Sequence, residues 1–277
     1  MSISAVIIAA AVVAGTGLVI GLFLGFAATK FYVPVDEREE KILDALPGNN
    51  CGGCGYPGCS GLAAAIAKGE APVNQCPVGG APVADVIAGI MGTTVGETEK
   101  KVAYVNCSGT ADRAKEQYVY SGEMSCKMAS LAPGGGSKAC AYGCLGYGDC
   151  VDVCEFNALH IVNGIAWVDK ETCVACGKCV QECPRHLIDL VPYKQKYFVA
   201  CSSQEKGRDV MKVCDIGCIA CHKCEKVCHF DAIHVENNIA KIDYEKCKNC
   251  GLCAKECPKH VIFKIVTPPA AVKKETA

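Results

Sequence analysis

The sequence predicts a string of small α+β domains behind one N-terminal apolar helix, with the C-terminal two thirds built as two tandem copies of a single module. Three observations predict it. The chain opens on a stretch with no charged residue from Ser2 to Thr29. Most of its 24 cysteines fall in tight runs. From Cys140 onward a constant offset of 74 positions superposes one half of the repeat on the other without a gap.

Composition narrows the chemistry. Among 277 residues, 28 Lys and Arg nearly balance 29 Asp and Glu, so no bulk charge points to nucleic acid. The cysteines could form a disulfide scaffold or bind metal. Disulfides require Cα atoms roughly 4.4–6.8 Å apart with suitable Cβ directions. Neighbours in runs such as "CVACGKCVQECP" (173–184) can seldom pair with one another. Metal binding is the better reading, and it implies a reducing compartment.

The elements follow in order. Residues 1–30 form the predicted transmembrane anchor. The apolar run Ala5–Ala28 is long enough to cross a hydrocarbon core of about 30 Å, while a secretory signal would carry a basic leader and a shorter apolar stretch. Lys30, Arg38 and Lys41 follow the run, which places the rest of the chain on the cytoplasmic face of the cell inner (cytoplasmic) membrane as a single-pass protein. Gly17, Gly21 and Gly25 share one helix face and suit close packing against another helix.

Residues 31–80 form the next expected domain. Cys51, Cys54, Cys59 and Cys76 stand in a C-x2-C-x4-C-x16-C pattern, with glycines that let the backbone curl round a bulky ligand. Zinc also accepts four thiolates, usually as two close pairs. The lone distal Cys-Pro favours a 4Fe-4S cluster. Residues 81–103 read as a linker, 104–192 and 193–267 as the two repeats, and 268–277 as a disordered tail.

Each repeat is itself double: a cysteine run, a hairpin, then a second cysteine run. Asn163-Gly164 and Asn237-Asn238 are the predicted two-residue turns. In such bacterial-type two-cluster ferredoxin layouts the fourth cysteine of each run ligates the other run's cluster. The second repeat then offers Cys218, Cys221, Cys224 and Cys257 for one 4Fe-4S cluster, and Cys247, Cys250, Cys253 and Cys228 for another. The first repeat offers Cys173, Cys176, Cys179 and Cys154. Its other site departs from the pattern, because Tyr147 stands where Cys221 would be. Cys140 is the expected substitute, joining Cys144, Cys150 and Cys183. Five 4Fe-4S clusters are therefore expected. Cys107, Cys126, Cys201 and Cys214 remain, either as a sixth cluster bridging the repeats or as spare thiols that pack as small hydrophobes.

Nothing resembles a nucleophile–base pair, a phosphate loop or a dinucleotide fingerprint, so no catalytic residue is assigned. A row of one-electron centres suits electron transfer. The N-terminal span, "CGGCGYPGC…CP" and the runs "CVACGKCVQECP" and "GCIACHKCEKVC" closely resemble the B-subunit family of the Rnf complex, the ion-translocating ferredoxin:NAD oxidoreductase. The resemblance implies that electrons arrive from soluble ferredoxin. They would pass to partner subunits, some in the membrane and some bearing flavin or NAD, with Na⁺ or H⁺ translocation as the outcome. A membrane-anchored polyferredoxin serving a hydrogenase or carbon monoxide dehydrogenase is the competing reading.

Overall fold

The structure, a computed structural model, describes residues 3–31, 36–96 and 99–264. The expected tail, 268–277, lies outside them. Helix α1 runs Ile3–Lys30. Its side chains are described without a break only from Val12 to Ala27, exposed up to Phe26. Among the described residues no helix is long and apolar enough to cross a membrane. The predicted span therefore rests on the sequence of the whole segment.

A three-helix domain follows, made of α2 (Glu37–Ala45), α3 (Cys59–Ala67) and α4 (Gly80–Met91). The Asp36 carboxylate starts α2 by accepting the Arg38 amide, and Gly92, in the left-handed region at φ 66°, ends α4. Ile42 and Leu46, Leu62 and Ile66, and Ile87 close the core from the three helices. Each fully buried aliphatic side chain contributes about 1.5–3 kcal/mol. The segment expected as a linker, 81–103, is thus half structure: α4 occupies its first part because Ile87 and Ala88 are buried.

The first module begins with β1 (Lys101–Val105) and an insertion carrying the short helix α5 (Cys126–Ser130). It continues with α6 (Asp149–Asp152), the hairpin β2 (Leu159–Val162) and β3 (Ile165–Val168), α7 (Lys178–Glu182) and β4 (Ile188–Pro192). The second has the same plan: β5 (Tyr197–Val199), α8 (Gly207–Val213), α9 (Lys223–Lys226), β6 (Ile233–Glu236), β7 (Ile239–Ile242), α10 (Leu252–Glu256) and β8 (Ile262–Lys264). In each module the first and last strands pair antiparallel, with Val105 opposite Ile188 and Val199 opposite Ile262. The inner strands form the hairpin.

Both predicted turns are present. Asn163 and Gly164 have φ 47° and 75°, Asn237 and Asn238 have 50° and 63°, the double positive φ of a hairpin turn that follows strand twist. Left-handed residues recur at the 74-residue offset elsewhere: Asn157 with Asp231, Ala175 with Asn249, His186 with His260. The repeat is therefore a repeat of backbone conformation. It folds the chain back at each cysteine run and turns the sulfurs inward.

Candidate metal centres

In the three-helix domain, Cys54, Cys59 and Cys76 pack on one core. Asn50 accepts the Cys59 amide at 2.8 Å, and Gln75 donates to the Cys54 carbonyl at 3.0 Å, tying the loop to the start of α3 and to the segment before Cys76. The Gly79 amide donates to Cys76 Sγ at 3.3 Å. Cys51 precedes them on the same loop, within electrostatic reach of Cys176 and Lys178. We call this site A.

Five further thiol quartets line five cavities of similar size, roughly 310–370 Å³ including the part open to solvent. Site B gathers Cys154, Cys173, Cys176 and Cys179. Site E gathers Cys218, Cys221, Cys224 and Cys257, and site F gathers Cys228, Cys247, Cys250 and Cys253. In all three the structure assembles the quartet expected from spacing, including the fourth cysteine borrowed from the other run.

The remaining two sites correct the sequence reading. Site C is lined by Cys126, Cys144, Cys150 and Cys183, so Cys126 and not Cys140 fills the gap left by Tyr147. The reason is local. Asp149 precedes Cys150 and grips the start of α5, accepting the Cys126 amide at 2.7 Å, the Lys127 amide at 3.0 Å and the Ser125 hydroxyl at 2.9 Å. The insertion is thereby folded back until its cysteine meets the others. Tyr147 turns instead toward Tyr120, at a ring separation of 5.6 Å. Cys140 belongs to site D, with Cys107, Cys201 and Cys214. The expected leftover quartet thus had one wrong member, Cys126.

The sulfurs accept backbone amides in matched fashion. Ala158 donates to Cys154 and Ala232 to Cys228, each at 3.4 Å. Ala103 donates to Cys173 and Ala166 to Cys144. The buried Gln195 side chain donates to Cys247 Sγ at 3.3 Å, a contact that spacing does not reveal. Such bonds to sulfur orient the thiolates and tune the potential of a cluster they hold. Burial pushes the thiols up: Cys144 and Cys253 to about 11, and Cys179, Cys201 and Cys224 to about 12. Four bare thiolates would be unfavourable in such surroundings, and a positive iron core supplies the missing charge.

All 24 cysteines are free of disulfides. Among the described residues no three His, Cys, Asp or Glu side chains are close enough to share one metal ion. Each of the five cavities is ringed by four thiols, the donor set that a cube of iron and sulfide takes. The donor set and its spacing fit 4Fe-4S clusters.

Two cations accompany sites C and D. Arg185 donates to the carbonyls of Cys140 at 2.7 Å and Gly143 at 3.1 Å, and also to Gly135. Lys138, 5% exposed, donates to the carbonyls of Gly109 at 2.8 Å and Cys144 at 2.7 Å.

Comparison with known proteins agrees with this chemistry. An Fe-S cluster family model matches residues 46–78, and the 4Fe-4S binding domain model matches 166–189 and 240–263. The chain is 48% identical over 261 residues to the B subunit of the Na(+)-translocating ferredoxin:NAD(+) oxidoreductase complex of Acetobacterium woodii, covering 94% of this chain and 78% of the relative. It is 42% identical to the B subunit of the ion-translocating oxidoreductase complex of Methanosarcina acetivorans, covering 91% and 96%. It is 38% identical to the B subunit of the proton-translocating ferredoxin:NAD(+) oxidoreductase complex of Clostridium ljungdahlii, covering 91% and 89%. Sequence, fold and thiol geometry thus agree: the chain belongs to the B subunits of the ion-translocating ferredoxin:NAD oxidoreductase (Rnf) complexes.

Proposed function

We propose that this chain is the membrane-anchored relay of such a complex, taking electrons from reduced ferredoxin and handing them to partner subunits for NAD reduction. The observation that carries the reading is the series of five four-thiol cavities in the two ferredoxin modules, in a chain whose relatives are named for this reaction. Sites A, B, C, E and F each hold a 4Fe-4S cluster; the clusters supply reversible one-electron chemistry at low potential. The protein holds the thiolates apart, directs amides at them and buries them from water.

Electrons are taken up at the second module. Cys221 and Cys250 are the exposed members among the 24 cysteines, and exposed Lys223, Lys226, Lys248 and Lys255 surround them. Cationic surface beside an accessible cluster steers an acidic donor, and salt weakens that steering. Electrons leave at the other end. A side chain on Gly53 would strike the backbone of Cys176, so the loop of site A lies directly against site B.

The charge-free run within Ile3–Lys30 serves as the anchor, with the cluster domains on the cytoplasmic side. The relatives' names include both Na⁺ and proton translocation, so the coupling ion differs within the family.

Isolation of the native complex from membranes tests the reading. Ferredoxin-dependent NAD reduction should travel with this chain, and Cys250→Ala should slow it while leaving membrane insertion intact. Recovery of the chain with a hydrogenase and no NAD-reducing partner would overturn the assignment.

A further inference from the structure

Site F is bonded differently from its counterpart in the first module, site B. Cys247 of site F and Cys173 of site B are equivalent at the 74-residue offset. Cys173 Sγ accepts a backbone amide, that of Ala103 in β1, at 3.3 Å. Cys247 Sγ accepts a side chain, the Nε2 of Gln195, also at 3.3 Å. The matched "YVNCS" and "FVACS" segments put Lys101 where Gln195 stands, and Lys101 is exposed at the start of β1. The first module thus offers its sulfur a strand amide, and the second offers a side chain.

Gln195 reaches the sulfur because the segment that joins the modules is strapped across site F. Its own amide donates to the Pro192 carbonyl at 3.0 Å, turning the chain at the end of β4. Asn249, in the cysteine run, holds the residues on either side. Its Oδ1 accepts the Lys196 amide at 2.8 Å, and its Nδ2 donates to the Lys194 carbonyl at 3.5 Å. The residue equivalent to Asn249 is Ala175, whose methyl group can make neither bond, although both residues take the left-handed conformation at φ 56°. Tyr197 then lies so close to Gly251 that a Cβ there would strike its ring.

The donor is also shielded from water. Gln195 is 3% exposed, and a buried amide needs partners for both hydrogens of its nitrogen. One goes to the Tyr197 carbonyl at 3.0 Å and the other to Cys247 Sγ. A neutral thiol is a weak acceptor. An iron-bound thiolate carries charge and makes a charge-assisted bond. The buried amide is therefore well satisfied only when Cys247 is a cluster ligand.

We propose that Gln195 sets the reduction potential of site F, its side-chain N–H stabilising the added negative charge of the reduced cluster and so making the site easier to reduce. An added electron spreads onto the sulfurs of a cluster, and a donor to one of them favours the reduced form. Asn249 acts through Gln195, as the residue that positions it. The step favoured is a one-electron uptake: site F gains the electron that a reduced donor loses, with no bond made or broken. This inference rests on the iron–sulfur reading of the chain as a whole.

The test uses the full-length chain, purified and handled without oxygen, and follows electron paramagnetic resonance through a redox titration. The site F signal is the one that Cys250→Ala removes. Gln195→Leu keeps most of the side chain's bulk and loses the donor, while Gln195→Glu puts a carboxylate in the same place. Both should keep the wild-type iron content. The midpoint of the site F signal should fall from wild type to Gln195→Leu and further to Gln195→Glu, with the other signals unmoved. Asn249→Ala, which copies the first module, should lower the same midpoint by less than Gln195→Leu does. A side chain that only packs would leave that potential where it was. An unmoved site F midpoint in both Gln195 variants, a shift confined to another signal, or loss of iron from site F in either would overturn the role of Gln195 and leave the iron–sulfur reading standing. A chain without iron would overturn both.

Discussion

The two ferredoxin modules share a backbone yet complete the same cluster site in different ways. In the second, Cys221 sits within the run, and site E is made from the module's own pattern. In the first, Tyr147 occupies that place, and site C takes its missing thiol from an insertion, Cys126, held by the carboxylate of Asp149. The residue equivalent to Asp149 in the second module is Lys223, which has no helix to grip. A duplicated module can thus lose a ligand and keep its site when another segment delivers a sulfur to the same point in space. The consequence is local dependence: site C relies on three hydrogen bonds to one carboxylate, whereas site E relies on a hairpin and a run.

The largest expected effect breaks that comparison at its source. Cys126→Ala should cost site C and about four irons per chain, and Cys221→Ala should cost site E alone, as read by iron content and paramagnetic resonance of each variant. If Cys140→Ala removed site C in place of Cys126→Ala, the borrowed-ligand account would fail. Next is Phe198→Ala. Its ring is fully buried between the modules, and truncation of such a side chain typically costs about 3–5 kcal/mol, visible as cluster bleaching at lower temperature in an anaerobic melt. Equal melting of wild type and variant would argue against a fixed junction.

Asp149→Asn should weaken the start of α5 by about 1–2 kcal/mol, in the range of a lost helix cap, and lower iron occupancy at site C alone. Lys223→Ala, its positional equivalent, should leave site E full. The smallest effect concerns the turns. Asn238→Gly would give the second hairpin the Asn-Gly turn of the first; it relieves φ 63° but gives up the bond from Asn238 Nδ2 to the Gln204 carbonyl at 3.0 Å, so the net change should stay within about 1 kcal/mol. A loss of stability well beyond that in a thermal melt would show that the two turns are not equivalent.

Much of this was legible in the sequence because cysteine spacing and hairpin turns are local. The runs at 173–183 and 247–257, the turns at 163–164 and 237–238, and the exchange of Cys154 and Cys183 between sites all follow from short-range pattern. Cys126 was not legible, because its position depends on a carboxylate 23 residues away and on the path of an insertion without a counterpart. One signal was available. Cys140 pairs with Cys214 at the 74-residue offset, as Cys107 pairs with Cys201 in the matched "CS" contexts, and a site built from equivalent pairs would have put Cys140 at the junction. Lys138, Arg185 and Gln195 left no trace in spacing, since their roles arise from burial against backbone carbonyls or sulfur. The linker hid α4 for a similar reason: its apolar face gains meaning only against α2 and α3.

The central claim is that thiols from separate stretches of chain jointly hold iron and sulfide. Native mass spectrometry of the anaerobically purified full-length chain tests it most directly. The account predicts a mass above that of the bare polypeptide equal to at least five four-iron, four-sulfide units, with no cysteines joined to each other. A chain carrying zinc, or one whose mass shows paired cysteines and no iron, would contradict it.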